Sequence, residues 1–345
     1  MLSGRPIIGV QPPRHCSEGD GMKLLTVVVN YKTPEMTLAA LAATLSALTQ
    51  VAGGWKITVV DNDSQDGSFD KLGHAIAAHR QANHPGWERI EVLAASSNAG
   101  YGAGNNVAIG RALHSDDPPE YIYALNSDAF PAEHAITHLI DYLDRHPQVG
   151  IVGSYIHGDD GHPHTTAFRF PSIGGEFEGA IRLGLVSRLL QNHRVPLGVP
   201  ECTRPVDWLA GASMMFLRQV IEDAGLFDET FFLYFEETDL CRRALLKGWS
   251  TVYIRESTVM HIGSATTGMK RWKKIPEYWF DSRRYYFIKN HGSVYFWTAT
   301  SARLLGEGLW QLRRRIQGKE DSGPPGQIWQ LVRHSIKQIG KKAHA

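Results

Sequence analysis

Apolar residues recur along the first 145 positions in short β-branched runs, each ended by a polar turn and followed by a helix-spaced pattern. LLTVVVNY (Leu24–Tyr31) has the unbroken apolar character of a strand covered on both faces. Pro34 opens a helical pattern that lasts to about Gln50. WKITVVDNDSQDGS (Trp55–Ser68) repeats the arrangement, and IEVLAASSNAGYGAGNNVAIGRAL (Ile90–Leu113) does so again. YIYALNSDAFPAEHAITHLIDYLDRH (Tyr121–His146) is the fourth copy, with its helix expected over Pro131–Arg145. Four strand-to-helix units in about 120 residues predict an α/β fold with a mostly parallel sheet flanked by helices. Ligands of such sheets sit outside the carboxyl ends of the strands. All four polar turns fall at that edge.

Beyond Pro147 the pattern changes. VGIVGSYI (Val149–Ile156) reads as a further strand, and residues 158–205, rich in Gly, Pro and His, as loop with a short helix near Glu176–Gln191. Order returns at VDWLAGASMMFLR (Val206–Arg218). A helix starts at about Glu236, and STVYIRESTVMHIG (Ser250–Gly263) is a final strand. From Met269 aromatic and basic residues alternate in a helical tail that SGPPG (Ser322–Gly326) interrupts. This gives a disordered extension over 1–21, with Met22 as an alternative start, a principal domain over 22–268 and a basic helical region over 269–345.

Composition adds little until charge is mapped. The 345 residues are 43% apolar and 21% charged, as in globular proteins generally. From Lys270 onward there are 16 Lys and Arg against 5 Asp and Glu, although the whole chain has a net charge of only +1. A basic tail beside an acidic body points to an anionic partner, nucleic acid or anionic lipid, and no nucleic-acid motif accompanies it. The longest uncharged run, Met36 to Trp55, is too rich in Thr, Ser and small residues to cross a membrane. The N-terminus lacks the layout of a signal peptide. Cys16, Cys202 and Cys241 have no metal or disulfide spacing, which fits a reducing cytoplasm.

Five segments carry candidate chemistry. Asp61, ending a strand, either caps the next helix with its neighbours or accepts hydrogen bonds from a base or ribose. Asn98–Asn106 holds Gly100, Gly102 and Gly104, which serve either a flexible turn or close backbone approach to an anion. Position 105 is Asn, so this is not the dinucleotide fingerprint. Asn126-Ser127-Asp128 offers either a helix cap or one carboxylate for a hard divalent cation that also binds substrate phosphates. Glu236, Glu237 and Asp239 crowd a helix start. They complement its dipole, and clustered acids beside apolar surface also raise one another's pKa, as a general base needs. His261, ending an apolar strand, is either a packed histidine or a metal or phosphate ligand.

In this order the segments VVVNYKT, VVDNDSQDGS, NAGYGAGNN, LNSD, WLAGASMMFLR, GLFDETFFLYFEETDLCRRALLKGW and VMHIG resemble glycosyltransferase family 2, in its bacterial rhamnosyltransferase-like branch, over about Leu24–Gly268. The resemblance implies a GT-A Rossmann-like fold, a nucleotide-sugar donor and Mg2+ or Mn2+. It gives Asp61 the nucleotide base and Tyr31, Asn98, Gly100, Asn105 and Asn126 the rest of the nucleotide site. Asp128 becomes the last carboxylate of the metal element, whose first position is Asn126 here, and His261 a further metal ligand. Glu237 takes the place of the catalytic base, with Asp239 as its rival. The implied reaction is inverting transfer of a sugar, dTDP-rhamnose being favoured over UDP- and GDP-sugars, to a glycan or lipid-linked acceptor in polysaccharide synthesis. The basic tail would then meet an anionic membrane at its inner face. A non-catalytic sugar-nucleotide binder and a nicotinamide-dependent dehydrogenase are the alternatives.

Overall fold

β1 (Met22–Asn30) is buried continuously from Leu24 to Asn30, as a strand sandwiched between helices must be. The structure is a computed structural model that describes residues 21–263, 274–318 and 326–337. The extension over 1–20, most of the SGPPG break and Lys341-Lys342 lie outside the described residues.

The first units alternate as the apolar pattern requires. β1, α1 (Pro34–Leu48), β2 (Gly54–Asp61), α2 (Ser68–Gln81), β3 (Ile90–Ala94), α3 (Tyr101–Leu113) and β4 (Tyr121–Asn126) follow one another. β3, β2, β1 and β4 are adjacent and parallel, so their carboxyl ends share one edge. The register aligns Asn30 with Asp61, Asp61 with Ala94 and Val29 with Asn126.

The second half completes the sheet differently. β5 (Ala129–Pro131) precedes α4 (Ala135–Arg145), whose buried Ile136, Leu139, Ile140 and Leu143 form one stripe. β6 (Val149–His157), the short β7 (Ala167–Phe168), α5 (Ile173–Ile181), α6 (Gly184–Leu189), β8 (Arg204–Val206) and β9 (Trp208–Leu209) follow. Then come β10 (Ser213–Leu217), α7 (Arg218–Ala224), α8 (Glu236–Leu246) and β11 (Ser250–His261). β10 runs antiparallel between β4 and β6, while β11 is parallel to β6 and antiparallel to β5. The sheet is mixed but mostly parallel, as expected.

Two local expectations change. The helix expected over Pro131–Arg145 starts only at Ala135, because residues 129–131 pair with the end of β11. The single helix expected near Glu176–Gln191 is two, broken at Arg182, whose φ is 49°.

α9 (Glu277–His291), α10 (Ser293–Gln317) and α11 (Gln327–Lys337) form the basic region. α9 and α10 lie against the sheet domain. The buried Arg283 donates to Glu176 of α5 at 2.8 Å, and Arg303 reaches the same oxygen at 3.3 Å. Among the described residues no helix is long and apolar enough to cross a membrane.

Candidate active site

The shared strand edge opens into a cleft of about 740 Å³. Tyr31, Asn62, Asn98 and Gly100 line one part of it, beyond the ends of β1, β2 and β3. Asn62 ties them together, donating from Nδ2 to Asn98 Oδ1 at 3.0 Å and to the Gly100 carbonyl at 3.1 Å. Gly100 has φ 104°, and a Cβ there would lie 1.8 Å from the Phe232 carbonyl oxygen. Its glycine therefore lets α3 start against the 230s loop, whose Phe232 carbonyl accepts from the Tyr101 N–H at 3.2 Å.

Asp61 does not line this cleft. Its buried carboxylate accepts from Asn30 Nδ2 at 2.7 Å, Ser64 Oγ at 2.6 Å and Ser64 N at 3.1 Å. It pins the ends of β1 and β2 together and does not cap α2, which starts at Ser68. Its neighbour Asn62 is the residue that faces the cleft. Asn105 is likewise interior, donating to the Tyr101 carbonyl at 3.0 Å from within α3.

Beyond β4 and β11 stand Asn126, Asp128 and His261. The antiparallel pairing of His261 with Ala129 brings the end of β11 beside Asp128. His261 Nε2 lies 3.0 Å from Asp128 Oδ1 and 3.3 Å from Asn126 Nδ2. The Gly263 N–H donates to Asp128 Oδ2 at 3.1 Å. Asp128 caps no helix, since β5 intervenes before α4. Burial alone would raise its carboxyl, but the hydrogen bond and charge of His261, with help from Gly263, hold it below the ordinary carboxylate range. One ionised carboxylate facing an imidazole suits a divalent cation that completes its shell with phosphate oxygens and water. Among the described residues no three His, Cys, Asp or Glu side chains form an all-protein metal site.

The start of α8 forms the wall with the acids. Glu236 and Glu237 both line the cleft. Glu237 Oε1 accepts from the Gly211 N–H at 3.1 Å, and the Gly211 carbonyl accepts from Tyr101 Oη at 2.8 Å. Burial raises the Glu237 carboxyl above its ordinary value, against the pull of the backbone donors. Burial, reinforced by the charge of Glu237, raises Glu236 further, and Glu236 Oε2 is buried without a hydrogen-bond partner among the described residues.

Asp239, the rival base, does not line the cleft: it is fully buried, accepting from Arg243 Nε at 2.7 Å and Lys289 Nζ at 2.8 Å. It ties α8 to α9. Sequence reasoning missed Gly211, Tyr101, Asn62, His164 and Tyr278, which also face or frame the cleft. Gly211 lies inside the segment WLAGASMMFLR, so a signal for it existed. Tyr278 carried no local signal.

The curled, mostly parallel sheet flanked by helices, with the cleft at its carboxyl edge, is similar to the GT-A fold of solved glycosyltransferases. The mannosyltransferase PcManGT from Pyrobaculum calidifontis, solved with GDP-Man and Mn2+, shares this fold with a TM-score of 0.56 over 93% of this chain and 88% of that one, at 13% identity. TarS residues 1–349 from S. aureus, solved with UDP, gives 0.50 over 88% and 74%, at 13% identity.

The chain belongs to the family described as "Glycosyltransferase like family 2", whose model matches residues 23–275. It is similar to the N-acetylglucosaminyl-diphospho-decaprenol L-rhamnosyltransferase of Mycobacterium tuberculosis, with 28% identity over 71% of this chain and 78% of the relative. The low-salt glycan biosynthesis hexosyltransferase Agl10 of Haloferax volcanii is 26% identical over 64% of this chain and 61% of that protein. Family membership sets aside both the dehydrogenase and the non-catalytic binder.

Proposed function

We propose that the protein transfers rhamnose, with inversion, from dTDP-rhamnose to a hydroxyl of a lipid-linked glycan in cell-surface polysaccharide synthesis. The observation that carries this reading is the position of Glu237, fixed by Gly211, in the cleft where Asp128 meets His261. The similarity to a rhamnosyltransferase named for a lipid diphosphate acceptor supports the choice of sugar and acceptor.

In this mechanism Tyr31, Asn62 and Asn98 hold the nucleoside end of the donor. Asp128 and His261 would hold Mg2+ or Mn2+, which when bound would supply positive charge to a departing diphosphate. Glu237 accepts the proton of the acceptor hydroxyl while that oxygen bonds to the anomeric carbon and the bond from that carbon to the diphosphate breaks. The raised pKa of Glu237 suits a base working near neutral pH. Gly211 aims its carboxylate, and the cleft holds both reactants in line, an effect that reaches about 7–11 kcal/mol at its upper end.

A thermal-shift panel of nucleotide sugars with and without Mn2+ tests the donor. The largest stabilisation is expected from dTDP-rhamnose with Mn2+; stabilisation by UDP- or GDP-sugars alone would reassign it.

A peripheral position at the inner face of the membrane accompanies this reading. α10 carries exposed Val294, Leu305, Leu309, Leu312 and Ile316 at helical spacing, beside Arg313, Arg314 and Arg315. An apolar stripe flanked by cations supports contact with an anionic bilayer. Liposome flotation of the wild type and of Leu312→Glu/Ile316→Glu tests it; equal recovery would end the idea.

A further inference from the structure

One wall of the cleft has no part in the chemistry above. Phe232, Leu233, Tyr234 and Tyr278 line it, and Phe232 is 39% exposed despite its apolar ring. The Tyr278 ring centroid lies 5.5 Å from that of Phe232 and 6.3 Å from that of Tyr234, nearly parallel to the latter at 20°. Three aromatic rings thus form a surface at the mouth of a polar cleft.

The surface is built rather than incidental. Tyr234 and Phe235 both have left-handed backbones, with φ of 68° and 72°, a conformation that costs side-chain-bearing residues about 1 kcal/mol or more each. This turn aims Tyr234 at the cleft and starts α8 at Glu236. α9 braces it: Ser282 Oγ donates to the Leu233 carbonyl at 3.0 Å, one helical turn beyond Tyr278. On the other side the Phe232 carbonyl is held by Tyr101 N.

We propose that Tyr278, with Phe232 and Tyr234, is the platform on which a pyranose ring of the acceptor lies, so that the C-terminal helices complete the acceptor subsite. This rests on the transferase reading. The apolar C–H face of a pyranose complements the electron-rich face of an aromatic ring. The location favours the acceptor over the donor. The polar side chains assigned to the nucleotide, Tyr31, Asn62 and Asn98, stand after β1, β2 and β3, whereas Tyr234 lies three residues before Glu237, the group that the acceptor hydroxyl must reach.

The test is saturation-transfer NMR with N-acetylglucosaminyl diphosphate on a short prenyl chain, using the full-length protein. In the wild type and in Tyr278→Phe, saturation should reach the sugar ring protons. In Tyr278→Ala and in Tyr278→Leu, which keeps apolar bulk without a π face, it should fall about tenfold. The thermal shift with dTDP should be unchanged in all four, which also shows that each is folded. Ring-proton saturation that persists in Tyr278→Leu, or that is absent in the wild type, overturns the proposal. So does a loss of dTDP affinity parallel to the loss of saturation, because it would put Tyr278 on the donor side. Whether the wild type transfers rhamnose to the same probe is measured separately and judges only the transferase reading.

Discussion

Gly211 and Glu237 are in contact: the Gly211 N–H donates to Glu237 Oε1 at 3.1 Å, and a Cβ at position 211 would lie 2.8 Å from that oxygen. Gly211→Ala must therefore push the carboxylate aside and weaken the bond that aims it. A misplacement of about 1 Å at a reacting group can cost roughly a hundredfold in rate. We expect kcat to fall by about that factor with donor affinity unchanged. Steady-state kinetics beside a nucleotide thermal shift would show it, and a fully active Gly211→Ala would remove Gly211 from the mechanism.

Glu237 and Asp239 separate cleanly by mutation. Glu237→Gln should lower kcat by about 10²–10⁴ while leaving donor binding intact. Asp239→Asn should leave kcat/KM per folded molecule nearly unchanged and lower stability instead. Arg243 and Lys289 would lose the carboxylate they share, at a cost on the order of 2–3 kcal/mol, less than for a fully buried pair because both cations are partly exposed. Urea denaturation measures the second effect. Loss of turnover in Asp239→Asn at full stability would reverse the assignment.

Glu236 makes stability pH-dependent. Below the ordinary glutamate pKa of about 4.3 the folded and unfolded chains both carry its proton, and it contributes nothing. Above that value the unfolded chain ionises while burial and Glu237 hold the folded carboxyl well above its usual range, so the folded state loses ground as pH rises. Glu236→Gln removes this penalty. Every tenfold difference in proton affinity between the folded and unfolded carboxyl is worth about 1.4 kcal/mol, or on the order of 2–4 °C in Tm. The variant should melt above the wild type at neutral pH, with the gap closing toward about pH 4. A gap constant with pH would contradict this.

Asp128→Asn keeps the shape of the site and removes its charge. Its rate should fall roughly a hundredfold or more. The Mn2+-dependent part of the dTDP thermal shift should also disappear, and chelation of the wild type should reproduce that loss. A shift that survives both treatments would mean that nucleotide binds without a cation at Asp128.

Much of the fold was legible because its signals are local. An unbroken run such as Leu24–Asn30, a proline at a helix start and a polar turn after each strand depend on neighbours a few residues away. They located the carboxyl-edge turns that hold Tyr31, Asn98, Asn126 and Asp128. What the local pattern does not carry has the opposite character. Pro131 looked like the first residue of a helix, and it pairs instead with Val259. Asp61 ends its strand like a ligand residue, while its parallel neighbour Asn30 donates to its carboxylate. Glu237 and Asp239, two residues apart on a helix, must face different ways; which of them meets the cleft depended on where Lys289 lies.

By itself the sequence determined the α/β alternation, the order of the segments and the edge at which chemistry would gather, since hydrophobic period and turn composition act over a few residues. Only the tertiary structure decided which polar side chains are left to meet a ligand. That choice is made by partners far away in the chain: His261 for Asp128, Gly211 for Glu237, Lys289 for Asp239 and Tyr278 for the aromatic wall. A hydrogen bond or ion pair of this kind forms only after the strands and helices have packed, and no local pattern encodes it.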